Sequence, residues 1–276
     1  MSINTYQLLK NLGLTDARVM SMLPGITSRV YEVDEVVCYK GEKRKPFSHI
    51  LSGLVCASKP CEDGERNPAN IFGPGTWFGE AGFLNEQSSA YDYVCLTPAR
   101  VLRVPFSDAA SAFEHDAAFS RYIARLTQWR DQQHSEMLML MRIGSPALRV
   151  VMGLSMLAEA LLSNSSHLPV NRVEECLAIP LKQSLLAASC GVSRGIFSVC
   201  LQQLAAADWL EVNYATIRLK SVKTWQYFSA SQRQNLQNAA KPSMQELLVL
   251  MQLASTNDSP MSSIQNQRAH SASGTH

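Results

Sequence analysis

The segment FGEAGFLNEQSSAYDYV, from Phe78 to Val94, combines a Gly-Glu pair with a serine pair and contains no positive charge. A pocket for a negatively charged small molecule often has this character, but it also needs a cation, because burying an unpaired charge is costly. The segment is therefore a ligand site, a site for something uncharged, or the remnant of a site that no longer binds. The candidate pocket residues in this segment are Gly79, Glu80, Ser88 and Ser89.

A second segment, Lys182 to Leu204, has the spacing of two short helices around a tight turn. Gly191 falls at the turn, and Ser193 is placed to cap the second helix. The outer face of that helix would then be exposed at an N-terminus that can enter a DNA major groove. A packed helical hairpin without nucleic acid is the alternative. The candidate DNA-binding residues are Lys182, Gln183, Ser193, Arg194, Gly195, Ile196, Ser198 and Val199.

The periodicity of the chain predicts the elements that position both segments. Residues 30–104 alternate in short runs broken by glycine and proline, which indicates a sandwich, jelly roll or barrel. Apolar residues three and four apart predict a long helix over 107–143, and the Gly-Ser-Pro that follows ends it. Helices and a small hairpin are expected over 147–222. A last helix and a Ser/Asn/Gln-rich, disordered tail are expected in the remainder.

Bulk composition limits the function classes. The chain has 276 residues, of which 46% are hydrophobic and 17% charged, so two ordinary globular domains are expected. A net charge of +2 does not by itself establish a nucleic-acid partner. No apolar run is long enough for a membrane span, and the N-terminus has no secretory leader. We therefore expect a cytoplasmic protein.

Seven cysteines are scattered along the chain without CxxC or metal-ligand spacing. Reduced, buried thiols are the expectation. A redox sensor built on Cys56 and Cys61, and haem ligation by one of these or His49, remain as alternatives. The cysteines are Cys38, Cys56, Cys61, Cys95, Cys176, Cys190 and Cys200.

The run IPLKQSLLAASCGVSR aligns without a gap to the pattern I-x-L-T-Q-E-E-L-A-x-x-x-G-V-S-R, and so it resembles the helix-turn-helix of the Crp/Fnr transcription regulators. In the front half, YKGE with ILSGLV and FGPGTWFGE resemble x-x-G-E…Y-x-I-L-x-G-x-V and L-x-x-G-D-x-F-G-E. LRVVMGLSMLAE is similar to the start of the family's DNA-binding domain. The resemblance covers about residues 20 to 225.

This resemblance implies an α+β, two-domain, cytoplasmic homodimer of bacterial type without catalytic activity. A cyclic-nucleotide-binding-like β-roll (jelly roll) with N-terminal helices would occupy 1–106, and a dimerisation helix 107–143. A winged helix-turn-helix over 144–229 would read palindromic double-stranded DNA, and 230–276 would form a C-terminal extension. RNA polymerase is a further candidate partner. The chief rival is a ligand-sensing or protein-interaction module of the same fold that has weak or lost DNA binding.

Both the recognition helix and the pocket depart from the family pattern. After Ser193, only Arg194 matches the base-reading residues of a well-known member, S-R-E-T-V-G-R. Ser88 stands where cyclic-nucleotide-binding members carry the arginine that pairs with the phosphate. His134 and Ser135 stand near where cyclic AMP receptors place Thr-Ser, and only the serine is kept.

These departures lead us to expect no cofactor and no metal. The cysteine cluster that ligates an iron–sulfur centre in Fnr-type members has no counterpart before Cys38. Three interpretations of the pocket stay open: no small ligand, a different effector, or cyclic-nucleotide binding through substitute cations.

Overall fold

The computed structural model describes residues 5–60, 66–85, 88–163, 176–213, 216–235 and 241–257. The chain divides into two compact units. Unit 1 comprises residues 1–137 and 160–170, and unit 2 comprises 138–159 and 171–276. The division after residue 137 falls inside a helix, seven residues before the Gly-Ser-Pro break at which we expected the domains to separate.

Unit 1 contains a β-roll, which is the fold that the family resemblance implies. Its strands form two antiparallel four-stranded sheets, with the orders β1-β8-β3-β6 and β2-β7-β4-β5. The strands are β1 (Thr27–Tyr31), β2 (Val36–Cys38), β3 (Phe47–Ser52), β4 (Val55–Pro60), β5 (Arg66–Phe72), β6 (Trp77–Phe78), β7 (Asp92–Cys95) and β8 (Ala99–Val104).

Side chains from both sheets form one buried cluster in the β-roll. Ile50 and Val101, which face each other across β3 and β8, meet Val55 and Cys95 of the other sheet in that cluster. None of these four side chains is accessible to solvent. The alternation visible in the sequence therefore becomes two apolar sheet faces packed against each other.

Helices form the second core of unit 1. This core joins Phe47 and Trp77 of the first sheet to helical residues such as Leu9, Phe119 and Ile123. The helices are α1 (Thr5–Lys10), α2 (Asp16–Met22), α3 (Ala81–Asn85), α4 (Phe106–His115) and the beginning of α5 (Ala117–Ile143), and a 3₁₀ turn covers Leu23–Gly25.

The predicted single helix over 107–143 is wrong at its start. Asp116 has φ −108° and ψ 94°, so the chain is extended between α4 and α5. Its carboxylate accepts a hydrogen bond from Arg18 Nε at 2.8 Å. This long-range ion pair holds Asp116 outside the helix, and a periodicity of apolar residues cannot reveal such a contact.

Unit 2 consists of helices and a three-stranded antiparallel sheet of order β10-β11-β9. Two helices, α7 and α8, precede the β10–β11 hairpin, which is the order of a winged helix-turn-helix. The elements are α6 (Pro146–Ser163), β9 (Cys176–Ile179), α7 (Gln183–Ser189), α8 (Arg194–Ala206), β10 (Leu210–Asn213), β11 (Thr216–Lys220), α9 (Val222–Asn235) and α10 (Met244–Asn257).

The end of unit 2 extends beyond the winged helix-turn-helix. Helix α9 runs across 229/230, where we placed a domain boundary. Helix α10 begins with a capping box, since Ser243 Oγ accepts from the Glu246 N–H and Glu246 Oε2 accepts from the Ser243 N–H. Leu247 and Met251 bury its inner face. The tail for which we predict disorder lies outside the described residues.

Within the described ranges, no single helix is long and apolar enough to cross a membrane. Helices α7 and α8 pass that test of length and composition only when taken together, and the pair is bent by 101°.

Candidate DNA-binding face and β-roll pocket

The turn between α7 and α8 depends on Gly191, which has φ +62°. A Cβ atom built on this glycine would lie 2.4 Å from Met141 Sδ, so neither the backbone conformation nor the space suits another residue. The N–H of Val192 donates to the carbonyl of Ala187 at 3.1 Å and closes the turn. The sequence thus folds here into the tight connection that its spacing predicts.

Helix α8 begins where the sequence indicates. Ser193 has φ −68° and ψ 155°, and its Oγ accepts a hydrogen bond from the Ile196 N–H at 3.3 Å. This is an N-cap, which satisfies one of the N–H groups at the start of the helix. Phe197, Cys200 and Leu204 are buried on the inner face.

The predicted DNA-binding residues all lie in this helix-turn-helix, and most are exposed. Lys182 and Gln183 are exposed at the start of α7. Ser198 differs from expectation because it is only half-exposed. The exposed residues at the start of α8 are Ser193, Arg194, Gly195, Ile196 and Val199.

Arg149 of α6 is a positioning residue that the motif comparison missed. Its Nη1 donates to the carbonyl of Gly191 at 2.8 Å and so holds the turn before α8. Helix α6 also packs tightly beside this turn, since a Cβ on Gly153 would lie 2.5 Å from Cys190 Sγ. Burial raises the pKa of the Cys190 thiol to about 12, so this group packs as a neutral side chain.

The wing of the motif is less basic than its composition suggests. Lys220 Nζ lies 2.6 Å from Asp208 Oδ1 and 3.1 Å from Glu211 Oε1. These contacts raise the pKa of Lys220, chiefly through its hydrogen bond to Asp208. Lys220 therefore neutralises neighbouring carboxylates, while Arg218 on the same strand is exposed.

In the β-roll, Gly79 makes a tight backbone turn that places Glu80 next to Arg130. Gly79 has φ +103°, and a Cβ there would lie 2.6 Å from the carbonyl oxygen of Pro46. Glu80 then accepts a hydrogen bond at Oε1 from Arg130 Nη1, and Arg130 Nη2 donates to the Trp77 carbonyl. The Glu80 and Arg130 side chains are 12% and 11% exposed, so this ion pair is largely removed from water.

A second cation lies beside the serine pair. Lys45 is only 3% exposed, and its Nζ donates to Ser89 Oγ at 3.3 Å. Its ammonium also lies 5.2 Å from the centre of the Tyr93 ring. Burial lowers the pKa of Lys45, while Cys38 and the carboxylates of Glu80 and Glu42 oppose that shift.

From the sequence we expected no positive charge next to Glu80 and Ser89, but the structure places two cations there. The segment itself has none, but the fold brings Lys45 and Arg130 to Ser89 and Glu80 from 44 and 50 residues away. Ser88, which replaces the expected arginine, is exposed and does not share the burial of Ser89. A local motif comparison cannot detect such long-range partners.

The remaining predicted pocket residues lie on α5. His134 and Ser135 are exposed, four and five residues after Arg130. Neither forms a hydrogen bond with Glu80 or Ser89 in the described part of the structure. The structure therefore joins Gly79, Glu80 and Ser89 with unexpected cations and leaves this pair at the surface.

Five cysteines in the described ranges are free thiols, namely Cys38, Cys95, Cys176, Cys190 and Cys200. Cys56 is buried, and Cys61, its partner in the alternative of a redox sensor, lies outside the described residues. Burial raises the pKa values of Cys38 and Cys95 to about 11, which disfavours the reactive thiolate. Among the residues the structure describes, no three His, Cys, Asp or Glu side chains are grouped to hold a metal ion.

Residues 28–116 match the family model of the cyclic nucleotide-binding domain. This part of the chain is therefore similar to a cyclic nucleotide-binding domain. The match covers the β-roll, which includes Glu80 and Ser89, and the helix that follows it.

Solved structures extend the likeness to most of the chain. FixK2 from Bradyrhizobium japonicum shares 20% identity and a TM-score of 0.59, covering 79% of this chain and 98% of its own. A CRP/FNR-family transcriptional regulator from Thermus thermophilus shares 20% identity and a TM-score of 0.54, covering 74% and 98%.

The c-di-GMP responsive global regulator CLP of Xanthomonas campestris shares 16% identity and a TM-score of 0.55, covering 75% of this chain and 99% of its own. At these identities the likeness establishes the fold, which is that of the CRP/FNR transcription regulators. No curated protein sequence matches the chain.

Proposed function

We propose that the protein is a cytoplasmic, homodimeric transcription regulator that binds double-stranded DNA through α8. The observation that carries this proposal is the capped N-terminus of α8, which presents the exposed Arg194 on a helix whose opposite face is buried. A helix of this kind enters the major groove with its first residues on the base edges. An arginine there can donate two hydrogen bonds to one guanine.

Phosphate contacts would come from the exposed basic residues of unit 2. Lys220 is excluded from this group because it neutralises Asp208 and Glu211. Each phosphate contact contributes about −0.9 to the slope of log affinity against log salt, so we expect modest, salt-sensitive non-specific binding. The exposed basic residues of the motif are Lys182, Arg194, Arg218 and Lys223.

The dimer is inferred from α5. This helix exposes Trp129, Leu138 and Met139 to the extent of 50%, 64% and 43%. Large apolar side chains on the outside of a long helix favour packing against a second copy. A two-fold dimer would then present two α8 helices to a palindromic operator.

We further infer that DNA binding does not depend on a cyclic nucleotide. Glu80 and Ser89, which would receive the sugar and phosphate, are engaged by the chain's own Arg130 and Lys45. A ligand would have to displace these intramolecular contacts without the arginine that Ser88 replaces. A substitute role for Lys45 is the second candidate, since its buried ammonium has no ion pair in the described part of the chain and would suit an anion.

The test of DNA binding is selection from random duplexes with the full-length protein, followed by footprinting over a salt titration. Replacing Arg194 by alanine should weaken the selected site by about 1–3 kcal/mol and relax specificity at one guanine. Arg100→Ala, at an exposed arginine of the β-roll, is the matched control and should leave binding unchanged.

If no duplex is enriched, or if Arg194→Ala binds as well as the parent protein, direct readout through α8 is wrong. The protein-interaction alternative would then gain, because Ile196 and Val199 offer an exposed apolar face on the same helix.

A further inference from the structure

The outer face of α8 is unusual because it carries no charge after its first residue. No Asp, Glu, Lys or Arg occurs from Gly195 to Ala207. Ile196 is 40% exposed and Val199 is 54% exposed. These side chains do not contribute to the domain core, which Phe197 and Leu204 of the same helix enter instead.

Intrinsic preferences do not explain an isoleucine and a valine at these positions. Both residues are β-branched and lose side-chain freedom in a helix. At exposed positions they also leave apolar surface in water. A surface helix would be more stable with alanine, glutamate or lysine there, so two adjacent β-branched residues are what we expect if this face contacts a partner.

Geometry makes the two side chains one surface. Residues three apart are neighbours on a helix, so Ile196 and Val199 lie side by side. Gly195, four residues before Val199, has no atom within 4 Å of a Cβ built upon it. The backbone of α8 can therefore approach a partner closely at that point.

The major groove offers a matching apolar group. Thymine carries a methyl group at C5 there, and cytosine carries hydrogen at the same position. A branched aliphatic side chain distinguishes these bases by excluding water from the methyl group, without a hydrogen bond. We propose that Ile196 and Val199 recognise thymine methyl groups next to the base that Arg194 contacts.

This inference rests on the proposed insertion of α8 into the major groove, and it specifies the chemistry of the operator. Each half-site should contain at least one thymine that is read through its methyl group. In the well-known member with S-R-E-T-V-G-R, the glutamate and the second arginine read bases. Gly195 has no acceptor and Val199 has no donor at these positions, so apolar readout would take their place here.

The experiment uses the full-length protein and operators obtained by selection. Each thymine in turn is replaced by deoxyuridine, which removes only the C5 methyl group and keeps the Watson–Crick edge. Affinity should fall roughly fourfold for each contacted methyl, and about 15-fold when both half-sites lose one.

A double-mutant cycle assigns the contact. In Val199→Ala the deoxyuridine substitution should have little further effect, because its apolar partner is already missing. Val249→Ala replaces a valine that is 60% exposed on α10 and should keep the full deoxyuridine penalty. Ile196→Ala provides the same comparison for the second side chain.

The outcomes distinguish DNA binding through α8 from the readout of thymine methyl groups. If no duplex is enriched, both the proposed function and methyl readout fail. If operators are enriched and Arg194→Ala weakens them, but every deoxyuridine substitution is silent, DNA binding stands and methyl readout is wrong. Methyl readout is also wrong if the penalty persists unchanged in both Val199→Ala and Ile196→Ala.

Discussion

Replacing Arg130 by methionine tests whether the β-roll is held by an internal ion pair. Methionine keeps much of the apolar stem and removes the charge and the donors. Glu80 would lose its cation and the Trp77 carbonyl would lose its hydrogen bond. Glu80 Oε2 is already buried without a hydrogen bond, and Lys45, the other nearby cation, donates its hydrogen bond to Ser89.

The expected cost follows from burial. At 11% and 12% exposure the pair is largely desolvated, and removing one member of such a pair costs about 3–5 kcal/mol. An exposed ion pair would cost about 1 kcal/mol or less. The Arg130 guanidinium also lies 5.5 Å from the centre of the Phe72 ring, and methionine loses that cation–π contact too.

Urea denaturation gives the change in the free energy of unfolding, and hydrogen exchange of β-roll peptides locates it in unit 1. Arg125→Met, at an exposed arginine of the same helix, is the control and should change stability by about 0.5 kcal/mol or less. The double variant Arg130→Met/Glu80→Gln should be more stable than Arg130→Met, because the unpaired carboxylate is gone.

Two results would refute this reasoning. One is a loss in Arg130→Met no larger than that in Arg125→Met, which would mean that the pair contributes little. The other is a double variant less stable than Arg130→Met, which would mean that Glu80 is stabilised by another group.

Two further predictions concern the pocket. Burial lowers the pKa of Lys45, so the unfolded chain binds more protons than the folded chain between the lowered and the ordinary pKa. The free energy of unfolding of the parent protein, relative to that of Lys45→Met, should therefore rise with pH towards the ordinary lysine pKa of about 10.4. Urea denaturation over a pH series measures this difference, and a difference that stays flat or falls contradicts a buried ammonium whose pKa is lowered. Isothermal calorimetry with cyclic AMP and cyclic GMP should detect no micromolar binding. Micromolar binding that disappears in Lys45→Met would overturn the ligand-independent proposal and assign Lys45 as the substitute cation.

The sequence predicts those features of the fold that depend on neighbouring residues. Glycine and proline spacing indicates the strands of the β-roll, and Ser193 indicates where α8 begins. The features it misses depend on residues far apart in the chain. Asp116 is held out of a helix by Arg18, and the pocket cations Lys45 and Arg130 belong to other parts of the sequence.

The pocket also shows why the absence of a motif residue is weak evidence about charge. Ser88 stands in place of the usual arginine, but it is exposed, so it does not determine the electrostatic field around the buried Ser89. That field depends on Lys45, which reaches Ser89 because its own segment leads into β3. Only the folded chain brings these residues together.

The contacts of Glu80 with Arg130 and of Ser89 with Lys45 bear on regulation. A free ligand competes with Arg130 and Lys45 for Glu80 and Ser89, and these competitors are attached to the same chain at a high effective concentration. A ligand can change the protein only through a difference in its affinity for two states. A ligand that must first break these contacts loses affinity for the state in which they are formed. We therefore expect little binding of a cyclic nucleotide to that state, and control of the proposed DNA binding would then depend on the amount of protein or on another partner.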